Sequence, residues 1–365
     1  MPIMLQDKNH VPPRSHKADP PLTMNQRILQ AAARAPLALS LNNQPHALLP
    51  NANWVPLASE AFYTWITQAC LENGILPGPS QLGHLIRQLD ATAHLSQRFQ
   101  QINLRSVKSN SNSFTLDLDH VLGEVIELNA DGWRVAIDFQ IPFYRPDSYC
   151  PHLPPIKVKT KLPTAIEQLF HLDKEKARAL TTWLIEAMLA TQSPPALIIT
   201  GKARIEAAEK LRGIIDPMIC PLLAVPSTGK ALGRLALTNR VMAFSIFKTL
   251  SPAKIEALNE IRTGMIVPLQ QVNRRRDPIF EKVTRPIIVS AEEAIQIHDG
   301  QLTLEINQAQ SIEKSEILGA LLNAAVSAIR KMQAPKTRQV ILELAAGNPI
   351  DSPAVILQPD EGLDP

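Results

Sequence analysis

The residues best placed for chemistry are Gly201, Lys202 and Arg204, which follow a short apolar run over residues 196–200 and precede a helical pattern. A strand, a glycine and a helix outline a phosphate-binding unit, because N–H groups and the helix dipole at a helix N-terminus favour an anion. A working phosphate loop needs GxxxxGK followed by Ser or Thr, which supplies a cation and a metal ligand. Here only one glycine is present, and Glu206 adds negative charge. We therefore predict a vestigial nucleotide or anion site without catalytic residues.

The next predicted strand lacks a metal-binding carboxylate. Residues 240–247 are mostly apolar and predict a buried strand, and Ser245 stands near its end, where a Mg²⁺-binding acid is expected in a nucleotide hydrolase. The Gly229-Lys230 pair does not replace the phosphate loop, because no glycine stands at the required distance before it. Pro226 also disfavours a buried strand leading into the pair. We predict a surface turn there.

Two clusters of basic residues could contact nucleic-acid phosphates. They are Arg274, Arg275 and Arg276, in a predicted loop, and Lys157, Lys159 and Lys161, which share one face of an extended segment. A solvated surface is the alternative for both, because neither cluster has the interleaved aromatic residues of a specific site. The scattered histidines lack ligand spacing and the three cysteines form no CxxC pair, so we expect no metal and no cofactor.

The elements that must position these residues alternate between strand and helix. Helical patterns cover residues 174–190 and 204–215, and apolar runs at 196–200, 240–247 and 285–289 have the length of buried strands. This alternation predicts an α/β fold with a mostly parallel sheet covered by helices on both faces. Upstream, two amphipathic helices precede a segment with a period of two and an Asp131-Gly132 turn, which predicts a small α+β domain.

The composition of the 365-residue chain indicates several separate parts and limits its partners. Its 31 prolines interrupt regular structure at many points. The charges nearly cancel at a net +3, which excludes nucleic-acid binding through a basic field over the whole surface. The apolar run 317–329 is too short to span a membrane, and no signal-peptide pattern opens the chain, so we expect a cytoplasmic protein without a membrane partner. We divide the chain into a mostly flexible arm with one short helical pattern (1–50), a small helical plus β-hairpin domain (51–140), a Pro-rich linker (141–163), an α/β domain (164–333) and a tail (334–365).

Several short segments follow one another in a recognisable order. They include Phe143-Tyr-Arg145-Pro146, Pro195-Ala-Leu-Ile-Ile-Thr-Gly201, Leu211-Arg-Gly-Ile-Ile-Asp216-Pro217, Val241-Met-Ala-Phe244 and Arg285-Pro-Ile-Ile. In order and spacing they resemble the C-terminal ATP-binding region of primase-helicase proteins of phages, plasmids and other mobile elements. The resemblance covers roughly residues 95–332 and implies a P-loop NTPase-like domain of the helicase or AAA type, with DNA and a homologous ATPase subunit or other replication protein as partners.

The family's functional positions, carried over by this resemblance, have lost their active residues. Arg204 stands in the P-loop lysine position, Ile205 in the following hydroxyl position, Ser245 in the Walker B position and Ser290 in a sensor position. No arginine occurs between Arg285 and Arg330. Loss of an arginine finger alone lowers the rate about 10³- to 10⁵-fold. The resemblance thus implies an inactive relative of a replicative ATPase that serves as a nucleic-acid or protein interaction module, of undetermined oligomeric state.

Two alternatives stay open from the sequence. An intact partner subunit could complete the ATPase in trans within a mixed ring. The chain could also be repurposed as a binding protein, such as a host-directed effector or inhibitor. Neighbouring replication genes would favour the inactive relative and the first alternative, and secretion or defence genes would favour the second alternative.

Overall fold

A computed structural model describes residues 22–110, 113–120, 123–137, 141–189, 194–269 and 279–332. Over these ranges the chain combines helices with four sheets, of which one is wholly parallel. The predicted α/β class is confirmed. No helix in the described ranges is long and apolar enough to cross a lipid bilayer.

The N-terminal unit, residues 22–103, packs helices on a four-stranded sheet of order β3-β2-β1-β4. Its elements are α1 (Met24–Ala32), β1 (Leu37–Ser40), β2 (Pro45–Leu48), β3 (Trp54–Pro56), α2 (Glu60–Glu72), α3 (Pro79–Ser96) and β4 (Phe99–Gln100). Thr23 and Gln26 form a capping box that fixes the start of α1. Phe62 and Ile66 of α2 are fully buried in a cluster with Val55 of β3, which holds the helix on the sheet.

Part of the predicted flexible arm is ordered secondary structure. Residues 24–48 form α1, β1 and β2, and the buried Ala38 and Ala47 face the interior of the unit. Strands of only four residues are too short to display a period of two, and alanine carries a weak hydrophobic signal. The first 21 residues lie outside the described ranges.

The second unit is an antiparallel meander of four strands. Its strands are β5 (Ser106–Asn110), β6 (Ser113–Asp117), β7 (Glu124–Leu128) and β8 (Trp133–Ile137), paired in chain order. At the predicted Asp131-Gly132 turn, the Asn129 side chain accepts hydrogen bonds from the N–H groups of Asp131 and Gly132 at 2.8 and 3.0 Å. The predicted hairpin is therefore confirmed, with Asn129 as the residue that closes it.

The α/β unit occupies residues 162–332. Its elements are α4 (Leu162–Phe170), α5 (Lys174–Leu189), β9 (Leu197–Thr200), α6 (Arg204–Ile215), α7 (Gly229–Thr238), β10 (Met242–Ile246), α8 (Pro252–Thr263), β11 (Met265–Pro268), β12 (Phe280–Val283), β13 (Ile287–Ala291), β14 (Leu302–Glu305) and α9 (Lys314–Met332). The sheet order is β10-β13-β9-β14, with all neighbours parallel. Leu223 extends this sheet by a single parallel bridge to Phe244 of β10.

Two apolar clusters cover the parallel sheet, one on each face. Leu197 and Ile199 of β9 pack with α5, α6 and α9, whereas Ile198 packs with α7 and α8 on the other face. Consecutive residues of a strand point to opposite faces, so a strand covered on both sides is apolar throughout. This explains why the run at residues 196–200 shows no alternation.

Helix α7 occupies the place of the predicted surface turn. Thr228 is its N-cap and accepts a hydrogen bond from the N–H of Ala231 at 3.2 Å. Leu232 and Ala236 lie on its buried face. The predicted turn at Gly229-Lys230 is therefore wrong. The N-cap lies before this pair and the buried residues lie after it, so the pair itself forms the first turn of the helix.

Two buried carboxylates join the units. Asp216, at the end of α6, accepts hydrogen bonds from the N–H groups of Arg240 and Val241, both at 3.0 Å, and pairs with Arg105 Nε at 3.4 Å. Asp117 of β6 receives both Arg145 Nε and Nη2, at 2.8 and 2.7 Å. All of these charged side chains are almost fully buried, so each pair ties segments distant in sequence into one interior.

Candidate functional site

The turn between β9 and α6 is the strand-loop-helix that the sequence predicts. Gly201 follows the strand with a φ of +93°, in the left-handed region that favours glycine. A Cβ atom at Gly201 would lie 2.5 Å from the carbonyl oxygen of Ile306 and 2.9 Å from Asn307 Oδ1. The glycine is therefore required by a close approach of the chain that follows β14.

The N–H groups of this loop are engaged by the protein itself. Lys202 N–H donates to Asn307 Oδ1 at 3.1 Å, and Ala203 N–H donates to the carbonyl of Ile306 at 3.0 Å. In a phosphate-binding loop such groups point at the anion. Residues 306 and 307 thus take the position that a phosphate would need, and the loop is closed by its own chain.

The Arg204 side chain is directed to a glutamate that follows β13. Its Nη2 donates to Glu292 Oε1 at 3.0 Å, and its Nε is buried without a hydrogen-bond partner among the described residues. Glu292 is exposed, and an exposed ion pair contributes at most about 1 kcal/mol. Gly201, Lys202 and Arg204 lie together at the start of α6, and their role as an anion site stays a prediction.

Ser245 and Ser290 lie side by side on neighbouring parallel strands. They are direct partners in the register of β10 and β13, on the sheet face covered by α6. Both hydroxyl oxygens are buried, and neither has a hydrogen-bond partner in the described part of the chain. A hydroxyl pair supplies no negative charge for Mg²⁺, which prefers carboxylates and phosphates. Within the same ranges, no group of three His, Cys, Asp or Glu residues could hold a metal ion.

The basic clusters predicted from the sequence fall in different places. Lys157, Lys159 and Lys161 are exposed on the segment before α4, and Lys157 Nζ lies 6.0 Å from the centroid of the Trp133 ring. Arg274, Arg275 and Arg276 lie outside the described residues. The structure does not bring the lysines to the loop after β9, so nucleic-acid binding by either cluster stays a prediction.

A second candidate site lies at the other edge of the parallel sheet, which the sequence did not indicate. It is a cleft of about 880 Å³, lined by the N-terminal unit, by α7 and by the segments that lead into β10 and β13. Its basic residues come from segments far apart in the sequence, so no local motif announces them. The sequence carries one local indication of this site, the basic pair Lys230 and Arg234, four residues apart. The pair lies on one face only if the segment is helical, and the sequence predicts a turn at residues 226–230 instead.

Comparison with known proteins gives distant structural neighbours. No protein-family model matches the sequence, and no curated protein matches it. The A-form apo structure of the NrS-1 C-terminal region has a TM-score of 0.43 at 10% identity, over 86% of this chain and 70% of that one. Two further apo structures of NrS-1 residues 305–718 have TM-scores of 0.41 and 0.39 at 10% and 11% identity, each over 88% of this chain and 72% of the other. The chain is thus distantly similar in structure to the NrS-1 C-terminal region.

Proposed function

We propose that the chain has a P-loop NTPase-like α/β unit that does not hydrolyse ATP and serves as an interaction module for nucleic acid or protein. In this proposal it is an inactive relative of the replicative ATPases of mobile elements. The closed loop between β9 and α6 is the observation that carries the proposal.

The topology of the parallel sheet supports a nucleotide-binding ancestry. The chain runs from β9 to β10 on one side of the sheet and returns to β14 on the other side of β9. In open α/β sheets, ligands bind outside the carboxyl ends of the strands where the strand order reverses. In this chain that position is the loop containing Gly201, with the N-terminus of α6 beside it.

Hydrolysis fails in this geometry for two separate reasons. Ile306 and Asn307 occupy the N–H donors that would bind a phosphate. Ser245 and Ser290 stand where the strands would offer a metal-binding acid and a polar sensor. Phosphoryl transfer depends on positioning and on neutralising charge, so a site without phosphate donors and without a metal ligand has little left to lower the barrier.

A turnover measurement tests the proposal. We expect the purified protein with Mg-ATP, with and without single-stranded DNA, to turn over below about 0.1 s⁻¹, which is under the usual enzyme range. A turnover above that limit, alone or with DNA, would overturn the proposal.

Opening the loop provides a sharper version of the same test. Asn307→Ala frees the N–H of Lys202, and Glu292→Gln removes the negative charge that pairs with Arg204. We expect the double variant to be stabilised by inorganic phosphate while still lacking ATP hydrolysis. Glu293→Gln, an exposed neighbour, is the matched control and should change neither property. Restored hydrolysis in the double variant would show that loop closure alone suppresses an intact active site, contrary to the proposal.

A further inference from the structure

The cleft lies at the amino-terminal ends of the parallel strands and has the size of a ligand site. Its volume of about 880 Å³ lies within the range of roughly 300–1,000 Å³ found for small-molecule and cofactor sites. It lies between the N-terminal unit on one side and α7, β11 and β12 on the other. The two walls differ in chemistry, and this difference indicates the ligand.

The wall formed by the α/β unit is cationic. Lys230 and Arg234 are exposed one turn apart on α7, whereas Lys282, exposed on β12, extends over Gly264 on the opposite face of the β11–β12 ribbon. None of the three has an ion-pair partner among the residues that the structure describes. The acidic residue lining the cleft, Glu281, already accepts a hydrogen bond from Asn42, and burial raises its pKa. The cleft thus carries an excess of positive charge at its surface.

Two further arginines extend this charge toward the floor of the cleft. Arg240 and Arg285 precede β10 and β13, and in the described ranges their guanidinium groups are hydrogen-bonded to neutral acceptors. Burial, followed by the charge of Arg285, lowers the pKa of Arg240 to about 10. Neither arginine forms an ion pair in the described ranges, although the charge of Asp216 acts on both of them and that of Glu281 on Arg285.

The wall formed by the N-terminal unit is neutral and polar. Asn42, Gln101 and Asn103 line it with amide groups, and the Tyr144 ring lies beside them. Amides and hydroxyls offer donors and acceptors to base edges and sugars, and aromatic rings offer stacking surfaces. A ligand that presents phosphate on one side and a base on the other fits both walls.

We propose that this cleft binds a nucleotide unit, with its phosphate on Lys230 and Arg234 and its base and sugar against the N-terminal unit. The inference deepens the proposed function, since it names the place where nucleic acid binds. A free nucleotide and one residue of a single strand share this chemistry, so the experiment must distinguish them.

The test uses the full chain with a fluorescein-labelled 15-nucleotide oligodeoxythymidylate, and with AMP as the free nucleotide. Lys230→Gln with Arg234→Gln should weaken oligonucleotide binding about tenfold at about 0.1 M salt. The slope of log affinity against log salt should become shallower by about 1.4, since each single-strand phosphate contact contributes about 0.7. Competition by AMP in the wild type identifies a free nucleotide as a ligand, and its failure to compete identifies a strand.

Lys174→Gln with Arg178→Gln is the matched control. These residues have the same types and spacing, and both are exposed on α5, away from the cleft. The control should bind the oligonucleotide like the wild type, and both double variants should keep the wild-type melting temperature. Equal loss in both double variants, unchanged binding in the cleft variant, or a wild type that binds neither probe would overturn the inference.

The two proposals fail separately. ATP turnover above the stated limit overturns the proposed function, and the comparison of the two double variants still reports on the cleft. If the cleft variant binds the oligonucleotide like the wild type, the turnover result still stands, because the cleft and the loop after β9 lie at opposite ends of the parallel strands.

Discussion

His46 is buried in β2 as a neutral imidazole. Its Nδ1 donates to the carbonyl of Gln44 at 2.9 Å, and burial lowers its pKa from 6.5 to about 4. His152, buried in the segment after the meander, has its pKa lowered well below the usual value by burial and by the charge of Arg105. Both side chains stabilise the fold only while they are uncharged, because protonation in the interior has no compensating partner.

We predict that the free energy of unfolding decreases as the pH falls from 6.5 to 4. In this window the unfolded chain binds a proton at His46 and the folded chain does not, so stability falls with decreasing pH. The slope from this residue is about 1.4 kcal/mol per pH unit. Urea unfolding at several pH values measures it. His46→Gln should remove this contribution and His84→Gln, at an exposed position, should not; equal slopes in both variants would contradict the assignment.

Among the helices, α9 illustrates how a small residue permits close packing. Gly319 lies in the middle of α9, where the carbonyl of Ile156 occupies the space that a Cβ would need. Gly213 lies in α6, where a Cβ would meet only the end of the Lys314 side chain, with Nζ at 3.3 Å. The first glycine allows the connector before α4 to lie directly on α9, and the second has no such role.

We predict opposite effects for the same substitution at these two glycines. Gly319→Ala should destabilise the protein by about 1–3 kcal/mol or more, because the connector backbone cannot move aside easily. Gly213→Ala should be neutral or stabilise by up to about 1 kcal/mol, since alanine is the better helix former and a lysine end is flexible. Chemical denaturation of both variants provides the comparison. A similar loss at both positions would mean that the close approach to Ile156 is not what requires Gly319.

The sequence predicts individual helices and strands correctly where the element is long or strongly apolar. The strand preceding Gly201 and the helix over residues 204–215 are both predicted correctly, because a buried run and apolar residues at helical spacing are local signals. Helix α7 was missed because a glycine and a neighbouring proline favour a turn. Strands β1 and β2 were missed because four residues cannot show a period.

At the scale of the whole molecule, buried ion pairs connect the three units. Arg145 binds the Asp117 carboxylate of the meander through two nitrogens. Its own backbone exchanges two hydrogen bonds with the Asn53 side chain of the N-terminal unit, at 2.7 and 2.8 Å. One residue therefore fixes the connector to both neighbours, and the units share an interior.

We predict that Asp117→Asn destabilises the protein by about 3 kcal/mol, because it removes the carboxylate that binds two nitrogens of the buried Arg145 and leaves only Asp119, whose Oδ1 lies 3.6 Å from Arg145 Nε. Glu127→Gln is the matched control on the adjacent strand: Glu127 pairs with Arg134 at 2.7 Å, but Arg134 is 75% exposed. The control should lose less than about 1 kcal/mol. Calorimetry measures both values, and comparable losses would show that burial does not set the strength of these pairs.

The sequence predicts the position of the loop after β9, but it does not predict the cleft. Gly201 and its neighbours form a local motif, so their position was predictable. The groups that close that loop, Asn307 and Glu292, come from about one hundred residues away and carry no motif. The cleft is assembled from several distant segments, and its charge depends on the packing of α7 beside the residues that precede β10 and β13.

Strands β10 and β13 each connect the cleft at the amino end of the sheet with the site at its carboxyl end. Ser245 is paired with Ser290, and Arg240 and Arg285 each stand five residues before the serine of their own strand. In extended chain, at about 3.3 Å per residue, five residues span roughly 16 Å. A ligand that contacts either arginine in the cleft would therefore contact the same segment that carries a serine hydroxyl beneath α6.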